Sequence, residues 1–308
     1  MSADRKVVLI TRRTRLEELV ARHHTLAQAK FYIEHLGADF TDYLTENAAY
    51  AQSLAVACTA LQVWSRYQVI DRGDLPNFIF GADDIVVALG QDGLVANTMK
   101  YLSGQPLIGL NPERTRWDGV LLPFEPKDLA AVLPQVAAED RSTKAVSLAQ
   151  VTLSDGQTMR AANDLFIGPR THTSALYEIE IGGRREVQSS SGIIVSTGLG
   201  STAWIKSVIT GAASIAQRFQ ATKAVAYPGQ AWDAPQLMFA VREPFPSRTT
   251  QTELVFGQVT PQQTLKLRSR MPENGVIFSD GIEADFLRFA AGVEAIIGLA
   301  PTCGQLVV

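Results

Sequence analysis

Two hydrophobic periodicities divide this chain. Through its first 125 or so residues, short apolar runs alternate with stretches whose apolar positions recur every three or four residues. Lys6–Ile10, Ile85–Leu89 and Pro106–Leu110 are the apolar runs, of the type buried on both faces, and Tyr67–Ile70 is a shorter one. Arg15–Leu36, closed by Gly37, carries helical spacing, as do Asp42–Trp64 and Leu94–Leu102. This alternation predicts a parallel sheet covered by helices. Leu121–Pro126 then leads into a short helix over Lys127–Leu133, and the domain boundary is placed there, giving domains 1–126 and 127–308.

From about Ala145 the period changes to two. Ser147–Leu153 runs into the turn signal Ser154-Asp155-Gly156, and Tyr177–Ile181 alternates and meets Gly182-Gly183. Gly192–Ser196, Gln236–Val241, Glu253–Val259, Thr264–Arg268, Val276–Ser279 and Val293–Leu299 also read as strands. One helix, about Thr202–Phe219, interrupts them. The pattern predicts a β-sandwich, with the last residues free to pack back on the first domain.

Composition narrows the function classes. The chain has 308 residues, is 46% hydrophobic and 19% charged, and carries a formal charge of −3. No basic excess points to nucleic acid or an anionic membrane as partner. No apolar run approaches the roughly 18 residues that a spanning helix needs. The segment before Lys6 is too short and charged for a secretory signal, and the two distant cysteines, Cys58 and Cys303, suit a reducing compartment, so a cytoplasmic location is expected.

Four short segments carry candidate chemistry. Gly90-Gln91-Asp92-Gly93 follows the strand Ile85–Leu89 and precedes a helix, where an α/β sheet turns backbone N–H groups toward anions. A carboxylate among such amides suggests phosphate chemistry; a tight turn with Asp92 as a helix cap is the plainer alternative. Ser196–Ala203 contains Gly198-x-Gly200-x-x-Ala203 after a strand and before a helix. The acidic residue that a dinucleotide fingerprint places about twenty positions on is missing, and the surroundings are hairpins. Its glycines permit close backbone approach, and Ser201 and Thr202 place hydroxyls at a helix start. Asn163-Asp164 pairs an amide suited to a base edge with a carboxylate suited to vicinal ribose hydroxyls; an ordinary turn is the alternative. Ser279-Asp280-Gly281 ends a strand and reads as a turn.

In order along the chain, these segments resemble the motifs of the NAD kinase family. Gly90–Gly93 is similar to its Gly-Gly-Asp-Gly, Asn163-Asp164 to its Asn-Glu, Ser196–Trp204 to its Ser-Thr-x-x-Gly-Ser-Thr-Ala-Tyr, and Asp280-Gly281 to a late Asp-Gly. Arg22–Thr25, Asn111–Arg114, Ser189–Gly192, Arg242–Pro244 and Arg268–Arg270 most resemble the mitochondrial branch. The resemblance implies a Rossmann-like α/β domain followed by a β-sandwich, and transfer of phosphate from magnesium-ATP to the 2′-hydroxyl of the adenosine ribose of NAD. It implies a homodimer or larger assembly, with Mg2+ carried by ATP. Asp92 would orient the ribose hydroxyl and accept its proton, and Gly90, Gln91 and Gly93 would face phosphates. Asn163 would hold adenine and Asp164 the ribose hydroxyls. Thr202, Ala203, Trp204 and Ser207 would line the dinucleotide pocket, with Asp280 a further contact or support.

Several positions depart from the family pattern. Gln91 replaces the second glycine, at a cost of roughly 1–2 kcal/mol if that position needs a left-handed backbone; in an ordinary backbone its amide could donate to a phosphate. Leu94 replaces a threonine and removes a hydroxyl. Asp164 is one methylene shorter than glutamate, Trp204 replaces tyrosine, and Ser191 stands where many bacterial members carry aspartate. Gln91 and Leu94 motivate a catalytically silent nucleotide-binding protein as the alternative, beside a related lipid or small-metabolite kinase. Arg12, Arg13 and Arg15 read as a solvated loop and helix start, and His23-His24 as helix surface. Arg242, Arg268 and Arg270, at strand ends, suit ion pairing at least as well as phosphate.

Overall fold

The computed structural model describes residues 5–64, 66–219 and 227–308. It divides into two compact units, Met1–Lys144 with Gln305–Val308, and Ala145–Gly304. In chain order the first stretch holds β1 (Val7–Thr11), α1 (Arg15–His23), α2 (Leu26–His35), α3 (Phe40–Gln62), β2 (Tyr67–Asp71), β3 (Ile85–Leu89), α4 (Asp92–Met99), β4 (Pro106–Leu110), α5 (Leu129–Ala137) and β5 (Thr143–Val146). Next come β6 (Ala149–Leu153), β7 (Thr158–Ala161), β8 (Asp164–Pro169), β9 (Ala175–Ile181), β10 (Arg184–Ser190), β11 (Ile193–Ser196) and α6 (Trp204–Arg218). The chain closes with β12 (Leu237–Val241), β13 (Phe256–Val259), β14 (Leu265–Ser269), β15 (Gly275–Ser279), β16 (Phe286–Arg288), β17 (Glu294–Leu299) and β18 (Gly304–Val307).

The first sheet has the order β2-β1-β3-β4-β18-β5. β1 pairs in parallel with β2 and β3, β3 with β4, and β4 with β18. Continuous apolar strands such as β1 and β3 need cover on both faces. On one face Tyr50, Ala57 and Leu61 of α3, with Leu129, Val132, Leu133 and Val136 of α5, pack against Val7, Leu9, Val87, Leu89 and Ile108. Because α5 is part of this core, the division falls at Lys144/Ala145 rather than near residue 126. The single helix expected over Arg15–Leu36 is two: His24 takes a left-handed φ of 67°, and the Thr25 hydroxyl caps α2 by accepting from the Gln28 amide at 3.2 Å. Gly37, at φ 76°, ends α2 as its position suggested.

The second unit is an antiparallel sandwich of two six-stranded sheets, β10-β9-β14-β17-β6-β7 and β13-β12-β11-β8-β15-β16. Its core takes alternate residues from both: Val151, Tyr177, Ile179, Leu265, Leu267 and Ile297 meet Leu165, Ile167, Ile193, Val195, Phe239 and Ile277. Strand β10 escapes a hydrophobic reading because its inward positions, Glu186, Gln188 and Ser190, are polar. They are buried because they are paired. The buried Tyr177 hydroxyl bonds Gln188 at 3.1 Å and Ser190 at 2.8 Å, and Gln188 donates to Glu186 at 2.9 Å. Glu186 in turn accepts the Glu253 and Leu254 amides, both at 3.1 Å. Among the described residues, no helix is long and apolar enough to cross a membrane.

Candidate functional site

In the first unit, Asp92 is the first residue of α4, directly beyond the C-terminal end of β3. Its Oδ1 accepts the Leu121 backbone N–H at 2.6 Å, which fixes the carboxylate while leaving the side chain half-buried. Leu121 is itself fixed: a Cβ on Gly109 would lie 2.1 Å from its carbonyl oxygen, so only glycine lets β4 pass so close. Gln91 is the N-cap at φ −113° and ψ 165°, an extended conformation open to any residue, so the missing glycine carries no strain. Its side chain makes no capping hydrogen bond, so the positive dipole end of α4 carries no side-chain cap from it.

The two flanking glycines differ. A Cβ on Gly90 would lie 2.8 Å from Leu94 Cδ2, so Gly90 makes room for the buried Leu94, which is a packing residue here. Gly93 is exposed, has an ordinary helical φ, and a Cβ there would meet nothing within 4 Å. Glycine costs a helix about 1 kcal/mol relative to alanine, and no internal contact of the fold requires it at this position.

Of the arginines behind this turn, Arg13 is exposed as expected, whereas Arg12 and Arg15 are tied down. Arg12 pairs with the buried Glu46 at 2.9 Å, and its backbone N–H donates at 3.0 Å to Tyr50 Oη, which donates to the Leu89 carbonyl at 3.1 Å. Tyr50 thus ties the ends of β1 and β3 together beside Gly90. Arg15 also pairs with Glu46 and reaches Asp42 at 2.6 Å, and Asp42 takes Arg116 at 2.6 Å. Hydrogen bonds from Arg116 first, and Arg15 second, hold Asp42 below the usual carboxylate range. Burial raises Glu46, but its bonds from Arg15 and Arg12 outweigh this and hold it low. His24 is exposed, whereas His23 is partly buried, with its ring 4.6 Å from Tyr32.

In the second unit, Asn163 immediately precedes β8, Asp164 opens it, and Asp280 follows β15. The Asp280 carboxylate accepts the Ala162, Asn163 and Asp164 amides at 3.1, 2.7 and 3.2 Å. The Asn163 carbonyl accepts the Thr197 amide at 2.9 Å. Gly200 lies flat on the same carbonyl; a Cβ there would be 2.2 Å from its oxygen. The backbone of Asn163 is therefore fully engaged, while its partly exposed side chain makes no hydrogen bond to the described residues. Asp164 is buried, and its Oδ1 has no hydrogen-bond partner.

Burial, and then the neighbouring Asp280 charge, push the Asp164 carboxyl up to about 7, against a hydrogen bond from Ser196. A carboxyl raised in the folded state binds its proton more tightly there than in the unfolded chain. It favours folding below its ordinary value of 3.8, and that contribution is lost as pH rises toward about 7. Denaturant unfolding of wild type and Asp164→Asn should therefore diverge, the wild type losing ground to the variant between about pH 4 and pH 7. Parallel pH profiles would rule this out.

The Ser196–Ala203 segment is a tight turn over Leu199–Thr202 leading into α6. Gly198 is pressed on a neighbouring backbone, a Cβ there falling 1.8 Å from the Ala231 carbonyl oxygen. The Ser201 hydroxyl is spent internally, donating to the Gly198 carbonyl at 2.6 Å and accepting the Gln230 amide at 2.9 Å. Thr202, Ala203 and Ser207 are exposed. Trp204 stacks on Phe166, with centroids 5.7 Å apart and planes within 8°, and Phe166 touches Phe278 at 4.9 Å. Phe166 and Phe278 are register partners on β8 and β15, on the sheet face away from the sandwich core.

These rings line a cavity of about 560 Å³ within the second unit, together with Arg170, His172, Ser189–Ser191 and Arg242. Arg242 lies over Trp204, its guanidinium carbon 5.4 Å from a ring centroid. It also pairs with Glu243 at 3.7 Å, and Arg268 and Arg270 are ion-paired to Glu294 at 3.9 Å and Glu178 at 2.8 Å. Of the residues read from sequence as dinucleotide-binding, Trp204 lines this cavity. Asn163, Asp164 and Asp280 cluster at the start of β8, two residues before Phe166. Phe166, Phe278 and Arg170 were missed, although strict alternation along β8 and β15 turns both phenylalanines away from the core.

No protein-family model matches the sequence, and no curated protein matches it either. Solved structures do. A yeast NADH kinase complexed with NADH is similar at a TM-score of 0.61 and 14% identity, over 99% of this chain and 83% of that one. An NAD kinase from Archaeoglobus fulgidus in complex with ATP is similar at a TM-score of 0.55, also at 14% identity, over 99% of this chain and 93% of the other. The chain has the NAD kinase fold, with its N-terminal α/β unit and C-terminal β-sandwich. At this identity the likeness establishes fold, and activity has to be argued from the residues.

Proposed function

We propose that the protein is an NAD kinase-like phosphotransferase, moving the γ-phosphoryl group of ATP to the 2′-hydroxyl of the adenosine ribose of NAD. The observation that carries this reading is Asp92: a carboxylate at the head of a helix, tied through one oxygen to Leu121, beside a glycine that the protein itself does not crowd. The related fold in complexes with ATP and with NADH supports both nucleotides as ligands.

The roles follow from the chemistry of the groups. Phosphoryl transfer has a loose transition state, so positioning and charge matter more than base strength. Asp92 orients the ribose hydroxyl and takes its proton as that oxygen bonds the γ-phosphorus and ADP departs. Backbone amides at Gly90, Gln91 and Gly93 face phosphates, and Mg2+ enters on the ATP. Asn163 presents its amide to the adenine edge, and Asp164 lies behind it toward the ribose. Trp204 offers stacking area, with Thr202, Ala203 and Ser207 on the adjoining surface. The extended backbone at Gln91 supports this reading over a silent protein, and Leu94 serves in packing without supplying the threonine hydroxyl. We place the chain near the mitochondrial branch, acting in the cytoplasm as a homodimer or larger assembly.

Purified protein given NAD and magnesium-ATP should form NADP. Binding of NAD in a calorimeter with no NADP formed would instead identify a nucleotide-binding protein without turnover. Phosphorylation of a different metabolite or lipid, with NAD untouched, would reassign the acceptor.

A further inference from the structure

Asp280 was read from sequence as a turn residue and, from the resemblance, as a further contact or support; it does sit in a turn, closed by the Ile282 N–H donating to the Ser279 carbonyl at 3.0 Å, but its carboxylate reaches well beyond that turn. It has a left-handed φ of 54°, followed by Gly281 at 73°. L-residues avoid this region, aspartate less than most. The conformation aims its carboxylate back along β8, beyond the last rung of the β15–β8 ladder at Ser279–Leu165. There it accepts three consecutive amides, from Ala162, Asn163 and Asp164, while its own N–H donates to the Asp164 carbonyl at 2.9 Å.

Three successive N–H groups converging on one anion form a nest, the arrangement other proteins use to bind phosphate. Here the anion is built into the chain. Both oxygens of Asp280 accept backbone amides, Oδ2 from Ala162 and Oδ1 from Asn163 and Asp164. What it holds is Asn163, whose N–H goes to Asp280, whose C=O goes to Thr197, and whose side chain has no hydrogen bond to the described residues.

We propose that Asp280 is a positioning residue: an internal anion that locks the 162–164 backbone and so presents the Asn163 amide to a nucleotide, without touching the nucleotide itself. The ligand half of this statement rests on the function proposed above. The lock does not. An amide reads a base edge only when held within roughly half an ångström of its productive place, and charge-assisted hydrogen bonds from a rigid strand end provide such a hold.

The variants Asp280→Gly and Asp280→Asn test it. Glycine suits the left-handed backbone and opens an anion-sized hole; asparagine keeps one acceptor and sets an NH2 group against one of the three amides, and serves if the glycine variant fails to fold. In Asp280→Gly, hydrogen exchange of the 162–164 amides should rise about tenfold or more, and NAD should bind about ten- to a hundredfold more weakly. Added acetate should reverse both by filling the nest, a rescue that general destabilisation would not show. Combined with Asn163→Ala, the Asp280 substitution should cost little further NAD affinity, because it acts through Asn163.

Additive losses in that cycle would make Asp280 a ligand contact and overturn the proposal, as would unchanged exchange at 162–164. Failure of acetate to restore the amides in the glycine variant would also count against it. If the wild-type protein does not bind NAD at all, the proposed function falls, and exchange with acetate rescue still decides the lock.

Discussion

Asp92→Asn should lower NADP formation on the order of 10³-fold while leaving NAD affinity within roughly threefold. The asymmetry comes from what asparagine retains. Its carbonyl oxygen can still accept the Leu121 N–H, so the side chain keeps its place and the head of α4 is undisturbed. What it loses is the negative charge and the capacity to take the ribose proton, which matter only as the new P–O bond forms. A catalytic role therefore appears in kcat, and a merely structural tie to Leu121 would appear in stability. Steady-state kinetics, calorimetric titration with NAD and a thermal melt on the same preparation separate the two. Retention of more than about a tenth of wild-type turnover would show that Asp92 is a structural tie to Leu121 and not the proton acceptor.

The second large effect is expected at Gly200. Its backbone is in an ordinary region, so alanine is locally tolerable and would even restrict the unfolded chain favourably. The obstacle is the Asn163 carbonyl oxygen, 2.2 Å from the new Cβ, with the Asn163 carbonyl carbon at 2.7 Å and Ser196 Oγ at 2.8 Å. Backbone pinned by Asp280 and Thr197 cannot yield as a flexible side chain would. Gly200→Ala should cost about 3 kcal/mol of stability, toward the upper end of overpacking penalties. NAD affinity should fall by at least about tenfold, since relief of the clash moves Asn163 off its mark. Denaturant unfolding and calorimetry measure both. A stable variant with native affinity would mean that Asn163 is less tightly placed than its contacts indicate.

How much of this was legible in the sequence depended on the range of the interactions involved. Strands β1, β3 and β4 announce themselves because both faces are buried over a run of four or five nearly all apolar positions. Asp92 and Asn163 stand out because a turn flanked by glycines and an Asn-Asp pair at a strand start are local patterns. Strand β10 was hidden because its buried face is polar and satisfied by Tyr177 and by backbone more than sixty residues away. The clamp from Asp280 to Asn163 spans 117 positions and the tie from Asp92 to Leu121 spans 29, and nothing near either carboxylate encodes its partner. Gly198 and Gly200 were read as permitting close backbone approach, and what approaches is the protein's own backbone. The break at His24 was equally opaque, because one left-handed residue inside a helical pattern leaves the apolar spacing nearly intact.

The pairing of β18 with β4 has a consequence for how the polypeptide is made. The α/β sheet receives one of its six strands from residues that are made only after the whole sandwich has been synthesised. Until then β4 carries an unclaimed edge, the kind of exposed pairing surface that invites association with other nascent chains. Closing it joins segments about two hundred residues apart, so loop-closure entropy makes this a late and slow event in maturation.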